Sequence, residues 1–113
     1  MRGVILAAGL ALASLGCQNN ALCNDVSGPV ATCESIACAI CTVESHCQAG
    51  IDVNTCATLR SSDMKCTTFS CDGSTFNPTG AEACLQGYYA QSCADNNSGV
   101  LPAVCSTVPI CGG

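Results

Sequence analysis

Tryptophan is absent from this chain, and its aromatic side chains are Phe69, Phe76, Tyr88 and Tyr89. Large aliphatics are thin too: after residue 16 the leucines are Leu22, Leu59, Leu85 and Leu101. A chain of 113 residues buries only a modest share of its surface, and its abundant Ala, Gly, Ser and Thr add little apolar area. These shortages exclude a conventional hydrophobic core as the main source of stability. Basic residues are scarcer still, with Arg2, Arg60 and Lys65 set against eight acidic side chains. Nucleic-acid binding needs clustered Lys and Arg to neutralise phosphates, and that class is excluded. The same shortage excludes a polybasic helix lying on a membrane surface. A Cys–His or Ser–His nucleophile would rest on His46, the single histidine, and no nucleophile motif surrounds it. The carboxylates are scattered singly, so no acid–base pair can be named. The sequence therefore reads as non-enzymatic, with no cofactor and no identifiable small-molecule substrate.

What the chain has in excess is cysteine, thirteen residues of 113, above the roughly 8–10 per cent that marks a disulfide scaffold in a short exported chain. Cross-links must replace the missing core. The compartment follows from residues 1–16, MRGVILAAGLALASLG. Arg2 supplies a positive start, Val4 to Leu15 an apolar stretch, and small residues follow. That is the pattern of an export signal, too short for a membrane-spanning helix. Ala13-Ser14-Leu15-Gly16-Cys17 resembles the bacterial lipobox, in which cleavage before cysteine accompanies acylation of its sulfur; Ser14 stands where leucine is commonest. The competing reading is ordinary cleavage after Ala11-Leu12-Ala13, leaving a soluble secreted protein. Cysteine parity favours lipid attachment at Cys17. The remaining twelve, Cys23, Cys33, Cys38, Cys41, Cys47, Cys56, Cys66, Cys71, Cys84, Cys93, Cys105 and Cys111, can then form six bridges with none over, in an order that spacing cannot assign. By resemblance to the enteric-type sorting rule, Gln18 after the lipidated cysteine implies the outer membrane.

Past the leader, residues 17–28 read as a polar, turn-rich lipidated tether, and residues 29–113 as one disulfide-rich helical domain. Val30 to Cys47 lacks Pro and Gly and carries Val30, Ile36, Ile40 and Val43 at helical spacing, with Pro29 placed for a first turn. A second helix is predicted over Asn54–Met64. Residues 72–80 are a loop by composition. Thr79 and Glu82 have capping-box spacing and predict a helix over Ala81–Cys93 with Cys84, Leu85, Tyr88 and Tyr89 on its apolar face, ended by Asn96-Asn97-Ser98-Gly99. Leu101–Val108 predicts a short last helix with Pro102 in its first turn. The fold class is all-α, a small disulfide-rich bundle of three to five short helices with long loops. Cys23, Cys33 and Cys38 repeat the spacing of Cys56, Cys66 and Cys71 at an offset of 33 residues, which suggests either a duplicated hairpin or coincidence.

The stretch Gly80-Ala81-Glu82-Ala83-Cys84-Leu85, then Cys93, then Leu101-Pro102-Ala103-Val104-Cys105, resembles a pattern found in a group of cysteine-rich bacterial lipoproteins: AxACL, a further cysteine, then LPAxC. The resemblance covers about a quarter of the chain plus the leader, and it implies no activity.

Several constellations are weighed against plain disulfides. Cys38-Ala39-Ile40-Cys41 is a CxxC, but the strand-then-helix setting of a thioredoxin-like site is missing. Cys33, Cys38, Cys41 and Cys71 match the plant-type ferredoxin spacing, without the glycines of a cluster-wrapping loop. His46 and Cys47 near Cys41 could begin a zinc site, which wants four ligands; a solvated helix position is the competing reading. Asn96-Asn97-Ser98 is a formal glycosylation sequon. Tyr88 and Tyr89 could mark a binding surface, although one of an adjacent pair usually faces the core. In an exported chain, structural disulfides take precedence. The expected function is a non-enzymatic cell-envelope lipoprotein, structural or partner-binding, held at a membrane by its lipid and meeting another surface protein. Two alternatives stand beside it: an exported thiol-redox or metal-binding protein using Cys38 and Cys41, and a soluble secreted inhibitor or toxin-like protein.

Overall fold

The computed structural model describes residues 23–112; the leader and the lipid-attachment candidate Cys17 lie outside the described residues. Five α-helices follow in order: α1 Pro29–Cys47, α2 Val53–Asp63, α3 Pro78–Tyr89, α4 Cys93–Ser98 and α5 Val104–Thr107, with a 3₁₀ turn at Cys66–Thr68. Among the described residues there is no strand, only an isolated antiparallel β-bridge between Phe76 and Cys111. The domain is the small all-α disulfide-rich bundle that the composition predicts.

Helix α1 is the pillar of the fold. Pro29 opens it after Gly28, where the missing amide costs nothing. Nine of its nineteen residues are buried, because α2, α3, α4 and the 3₁₀ turn all pack on it. Its four cysteines each reach a different element. Cys38 bridges back to Cys23, Cys33 to Cys66 in the 3₁₀ turn, Cys41 to Cys56 in α2, and Cys47 to Cys93 in α4. At about 100° per residue, these positions fan over about half the helix circumference. The other half carries Ile36, Ala39 and Val43, and the first two meet Cys84 and Leu85 of α3 in the one hydrophobic cluster. Two further bridges, Cys71–Cys111 and Cys84–Cys105, hold the C-terminal segment.

The fold takes in chain that the sequence reading assigns to the tether. Cys23 is 1 % exposed. The buried Ser35 hydroxyl accepts the Asp25 N–H at 3.0 Å and donates to the Asp25 carbonyl at 2.8 Å, while Val26 packs against the core cluster. Residues 23–28 therefore belong to the packed domain, and a tether can extend only to residue 22.

Helix α3 corrects two expectations. It starts at Pro78 rather than after Thr79, so Thr79 and Glu82 lie inside it and form no capping box. Proline at the first helical position presets the backbone and needs no acceptor. Asn77 instead ties the helix start to the C-terminal segment: its N–H donates to the Ile110 carbonyl at 2.7 Å and its side-chain amide to the Pro109 carbonyl at 3.1 Å. The helix also stops at Tyr89. Ser92 then caps a separate helix, accepting the Asp95 N–H at 3.1 Å, and α4 closes on Gly99 at φ 71°. The last helix is confined to four residues, after Pro102 rather than around it.

Two glycines one helical stripe apart let the C-terminal segment lie directly on α3. A Cβ at Gly80 would collide with the Pro109 carbonyl oxygen, and one at Gly87 would lie 2.8 Å from Val104 Cγ1. Cys84, between them on the same face, is bridged to Cys105. Gly→Ala inside a helix ordinarily gains about 1 kcal/mol. Here Gly80→Ala is expected to lose about 1–3 kcal/mol, because backbone must move to admit the methyl group. Urea unfolding of the oxidised variant checks this; a stability equal to or above the parent's would refute the close packing.

Lys65 stands where α2 ends and is the only non-glycine described residue with positive φ, at 57°. Glycine is the usual occupant of this position just past a helix, since a Cβ costs about 1–2 kcal/mol in the left-handed conformation. Lys65→Gly is expected to stabilise the protein by about 0.5–1 kcal/mol after the entropy of the more flexible unfolded chain is set against that relief. Thermal unfolding followed by circular dichroism measures it, and a lower midpoint would contradict the strain.

Candidate functional site

The large apolar side chains that the composition makes scarce do not all enter the core. Several surround an open groove of about 330 Å³, within the range of small-ligand sites. Its floor is the edge of the hydrophobic cluster, where α1 contributes Ile36, α3 contributes Tyr88, and the C-terminal segment contributes Ile110. One wall is the chain running from the end of α2 through the 3₁₀ turn, which supplies Met64 and Phe69. Leu101, between α4 and α5, also lines it. Two disulfides brace the walls: Cys33–Cys66 joins α1 to the 3₁₀ turn, and Cys84–Cys105 joins α3 to α5, with Cys33, Cys84 and Cys105 all facing the groove. Leu101 is 55 % exposed and Met64 37 %, so the site presents apolar surface to solvent, with each of the two bridges fixing one pair of its lining elements.

The groove carries no charge of its own. Its polar handle is Tyr88, whose phenol burial pushes above the ordinary value of 10.0. Neighbouring Tyr89 is shifted the same way for the same reason, and its hydroxyl donates to the Cys23 carbonyl at 3.3 Å. A phenol whose pKa is higher in the folded state than in the unfolded chain favours folding fully below the unfolded value near pH 10. That contribution is lost as pH rises through the folded values. The urea midpoint of the oxidised protein is therefore expected to hold up to about pH 10 and fall above it. Ultraviolet titration of tyrosinate checks the cause: both phenols must ionise later in the native protein than after unfolding.

The cysteine constellations singled out in the sequence are taken apart by the fold. Cys38 and Cys41 lie one turn apart on α1 and bridge outward, to Cys23 and Cys56, not to each other. The four ferredoxin-spaced cysteines enter four different bridges, Cys71 reaching Cys111. The echo at 33 residues is not a duplicated hairpin either. Cys23 pairs with Cys38, but their counterparts Cys56 and Cys71 pair with Cys41 and Cys111. His46 is exposed in the last turn of α1. Asn96 of the sequon lies in α4 and donates its side-chain amide to the Ile40 carbonyl at 3.3 Å.

Two other clusters bring polar groups together. Cys41, Glu44 and Cys56 place their ligand atoms within 4.8 Å of one another. The two sulfurs are bonded to each other, so neither offers the thiolate a metal needs. Glu44 Oε1 lies 3.3 Å from the Cys56 sulfur and accepts from Arg60 at 3.4 Å, the one ion pair among the described residues. A shallow depression of about 320 Å³ between α1 and α2 is lined by Asp25, Glu34, Asn54, Thr58 and Ser61. Asp25 there is held below the usual carboxyl value by hydrogen bonds from Ser27.

Sequence reading singles out Tyr88 and the cysteines of the groove but not Met64, Phe69, Leu101 or Ile110. Met64 and Phe69 flank the 3₁₀ turn while Leu101 and Ile110 come from far along the chain, so no periodicity links them; their scarcity is the only signal they carry. No helix among the described residues is long and apolar enough to cross a membrane. No protein-family model, no curated protein and no solved structure matches this chain.

Proposed function

We propose that this chain is a non-enzymatic cell-envelope lipoprotein, anchored through Cys17, whose disulfide-stapled domain binds an apolar ligand or partner group in the groove of Ile36, Met64, Phe69, Tyr88 and Leu101. The observation that carries the reading is the exposure of Met64 and Leu101 around a braced cavity, in a chain with hardly enough large apolar residues for a core. An apolar concavity with a single polar handle, Tyr88, fits the make-up of small-ligand sites. The bridges support export to an oxidising compartment. The pairing of all twelve cysteines other than Cys17 supports the use of Cys17 for something else.

Two measurements test the two halves of the proposal. The intact mass of the membrane-extracted protein, alkylated before reduction, is expected to show a chain beginning at Cys17 with added acyl mass and no alkylated thiol. A chain beginning at Ser14 would overturn the anchor, and two or more alkylated thiols would favour the thiol-active alternative. For the groove, a polarity-sensitive naphthalene dye is expected to brighten on the oxidised protein and to lose that response in Leu101→Asp, with an unchanged far-ultraviolet spectrum. A variant that still binds the dye as well as the parent overturns the groove.

A further inference from the structure

No charged side chain lines the groove, so a ligand seated there would hold any charge of its own against apolar walls without a partner. What the lining offers instead is polarisable: the rings of Phe69 and Tyr88, the thioether of Met64, and the bridged sulfurs of Cys33, Cys84 and Cys105. Aromatic rings pack well in such surroundings, by offset or edge-to-face contact with other rings and by contact with sulfur. One polar group in the lining is uncommitted. Tyr88 is half-buried against the hydrophobic cluster, and its hydroxyl makes no hydrogen bond among the described residues. Neighbouring Tyr89, by contrast, donates its hydroxyl to the Cys23 carbonyl at 3.3 Å. A buried phenol ordinarily finds a partner, and Tyr88 is the lining residue still able to take one.

From this lining we infer that the groove takes an uncharged aromatic molecule carrying one hydrogen-bond acceptor, an aryl ketone or ester in chemical class, its ring among Met64, Phe69 and Tyr88 and its acceptor at the Tyr88 hydroxyl. The inference rests on the groove being a binding site, as proposed above, and adds the ligand class. Charge selects the class from both sides. An anion would meet no cation in the lining, and a cation would meet no carboxylate. A purely apolar ring would cover the Tyr88 hydroxyl and leave it unpaired, at a cost in affinity.

Equilibrium dialysis of the oxidised full chain against a set of matched compounds tests the class and the groove separately. 2-Acetylnaphthalene is expected to bind saturably at one molecule per chain, about three- to tenfold more tightly than 2-ethylnaphthalene, the range of one neutral hydrogen bond. Tyr88→Phe, which keeps the ring, is expected to abolish that difference and leave 2-ethylnaphthalene unchanged. The anionic 2-naphthoate and the cationic 2-naphthylmethylammonium are expected to bind about tenfold or more weakly than the ketone, since each brings a charge with no partner. 2-Dodecanone, which has the carbonyl but no ring, is expected to bind more weakly too, and Leu101→Asp to weaken all of them. Equal binding of the two neutral naphthalenes, or a difference that survives Tyr88→Phe, overturns the acceptor at Tyr88. Binding of either charged congener or of 2-dodecanone as tight as the ketone's overturns the uncharged aromatic class. The apolar groove stands in each of those cases. If none of the compounds binds the parent protein, the ligand class and the groove reading fall together.

Discussion

Complete reduction is expected to unfold this domain. The two shortest covalent loops, Cys23–Cys38 and Cys41–Cys56, each span 15 residues, and the longest, Cys47–Cys93, spans 46. Restricting the unfolded chain contributes about 3 kcal/mol for a 15-residue loop and roughly 4 kcal/mol for one of 46. The loops overlap, so these terms do not add simply. Two or three of them nonetheless match the whole stability of an ordinary small domain, about 5–15 kcal/mol. Against that loss stands a cluster of four buried residues, Ile36, Ala39, Cys84 and Leu85, one of which is itself bridged. A phosphine reductant should collapse the helical circular dichroism signal; a reduced protein with a near-native spectrum would show that packing alone suffices. The bridges should also open in order. Cys93 is exposed and Cys47 half-buried, while Cys33 and Cys66 are 7 % and 0 % exposed, so mass mapping after brief reduction should find Cys47 and Cys93 alkylated before Cys33 and Cys66. Replacing Cys33 and Cys66 together by Ala should cost about 3–4 kcal/mol.

Leu85→Ala is expected to be the most damaging single apolar truncation. Leu85 is the largest fully buried side chain, 0 % exposed, and sits where α3 meets Ile36 and Ala39 of α1. Truncating a fully buried leucine costs about 2–5 kcal/mol, the upper end applying where the surroundings cannot collapse. Collapse is hindered here on both sides. Cys84, its neighbour in sequence, is bridged to Cys105, and the Cys33–Cys66 bridge holds α1 one turn from Ile36. Urea unfolding of the oxidised protein measures the cost. Leu101→Ala provides the contrast: a leucine 55 % exposed at the groove should cost under about 0.5 kcal/mol while weakening apolar-ligand binding. Equal losses for the two leucines would mean that the groove is part of the core.

Much of the fold is legible in one dimension because its causes are local. The Val30–Cys47 stretch declares α1 through its lack of breakers and its helical spacing, and Pro29 marks its start. Asp52, accepting from the Thr55 amide, and the left-handed Lys65 bound α2 close to the limits its composition suggests. The misreadings arise where distant chain intervenes. Thr79 looks like a cap because Glu82 follows at the right spacing, yet the helix start is set by Pro78 and by hydrogen bonds from Asn77 to Pro109 and Ile110. The break between Tyr89 and Cys93 coincides with the bridge that ties Cys93 to the end of α1. The groove belongs to the same class: Ile36, Met64, Phe69, Tyr88 and Leu101 are dispersed over most of the domain, and no local pattern announces that they meet.

By itself, then, the sequence determined what must stabilise this protein, a chemistry consistent with export to an oxidising compartment. Too few large apolar residues and too many cysteines leave cross-linked helices as the solution, a consequence of composition that needs no coordinates. Which cysteine meets which was decided only by the tertiary structure. A disulfide requires its Cα atoms within about 4.4–6.8 Å, and the six pairs fall at 4.5–5.8 Å across separations of 15 to 46 residues. Proximity over such spans depends on how α1 is surrounded, not on spacing along the chain. That packing turns a CxxC into two outward staples and leaves a handful of scattered apolar residues facing one open groove.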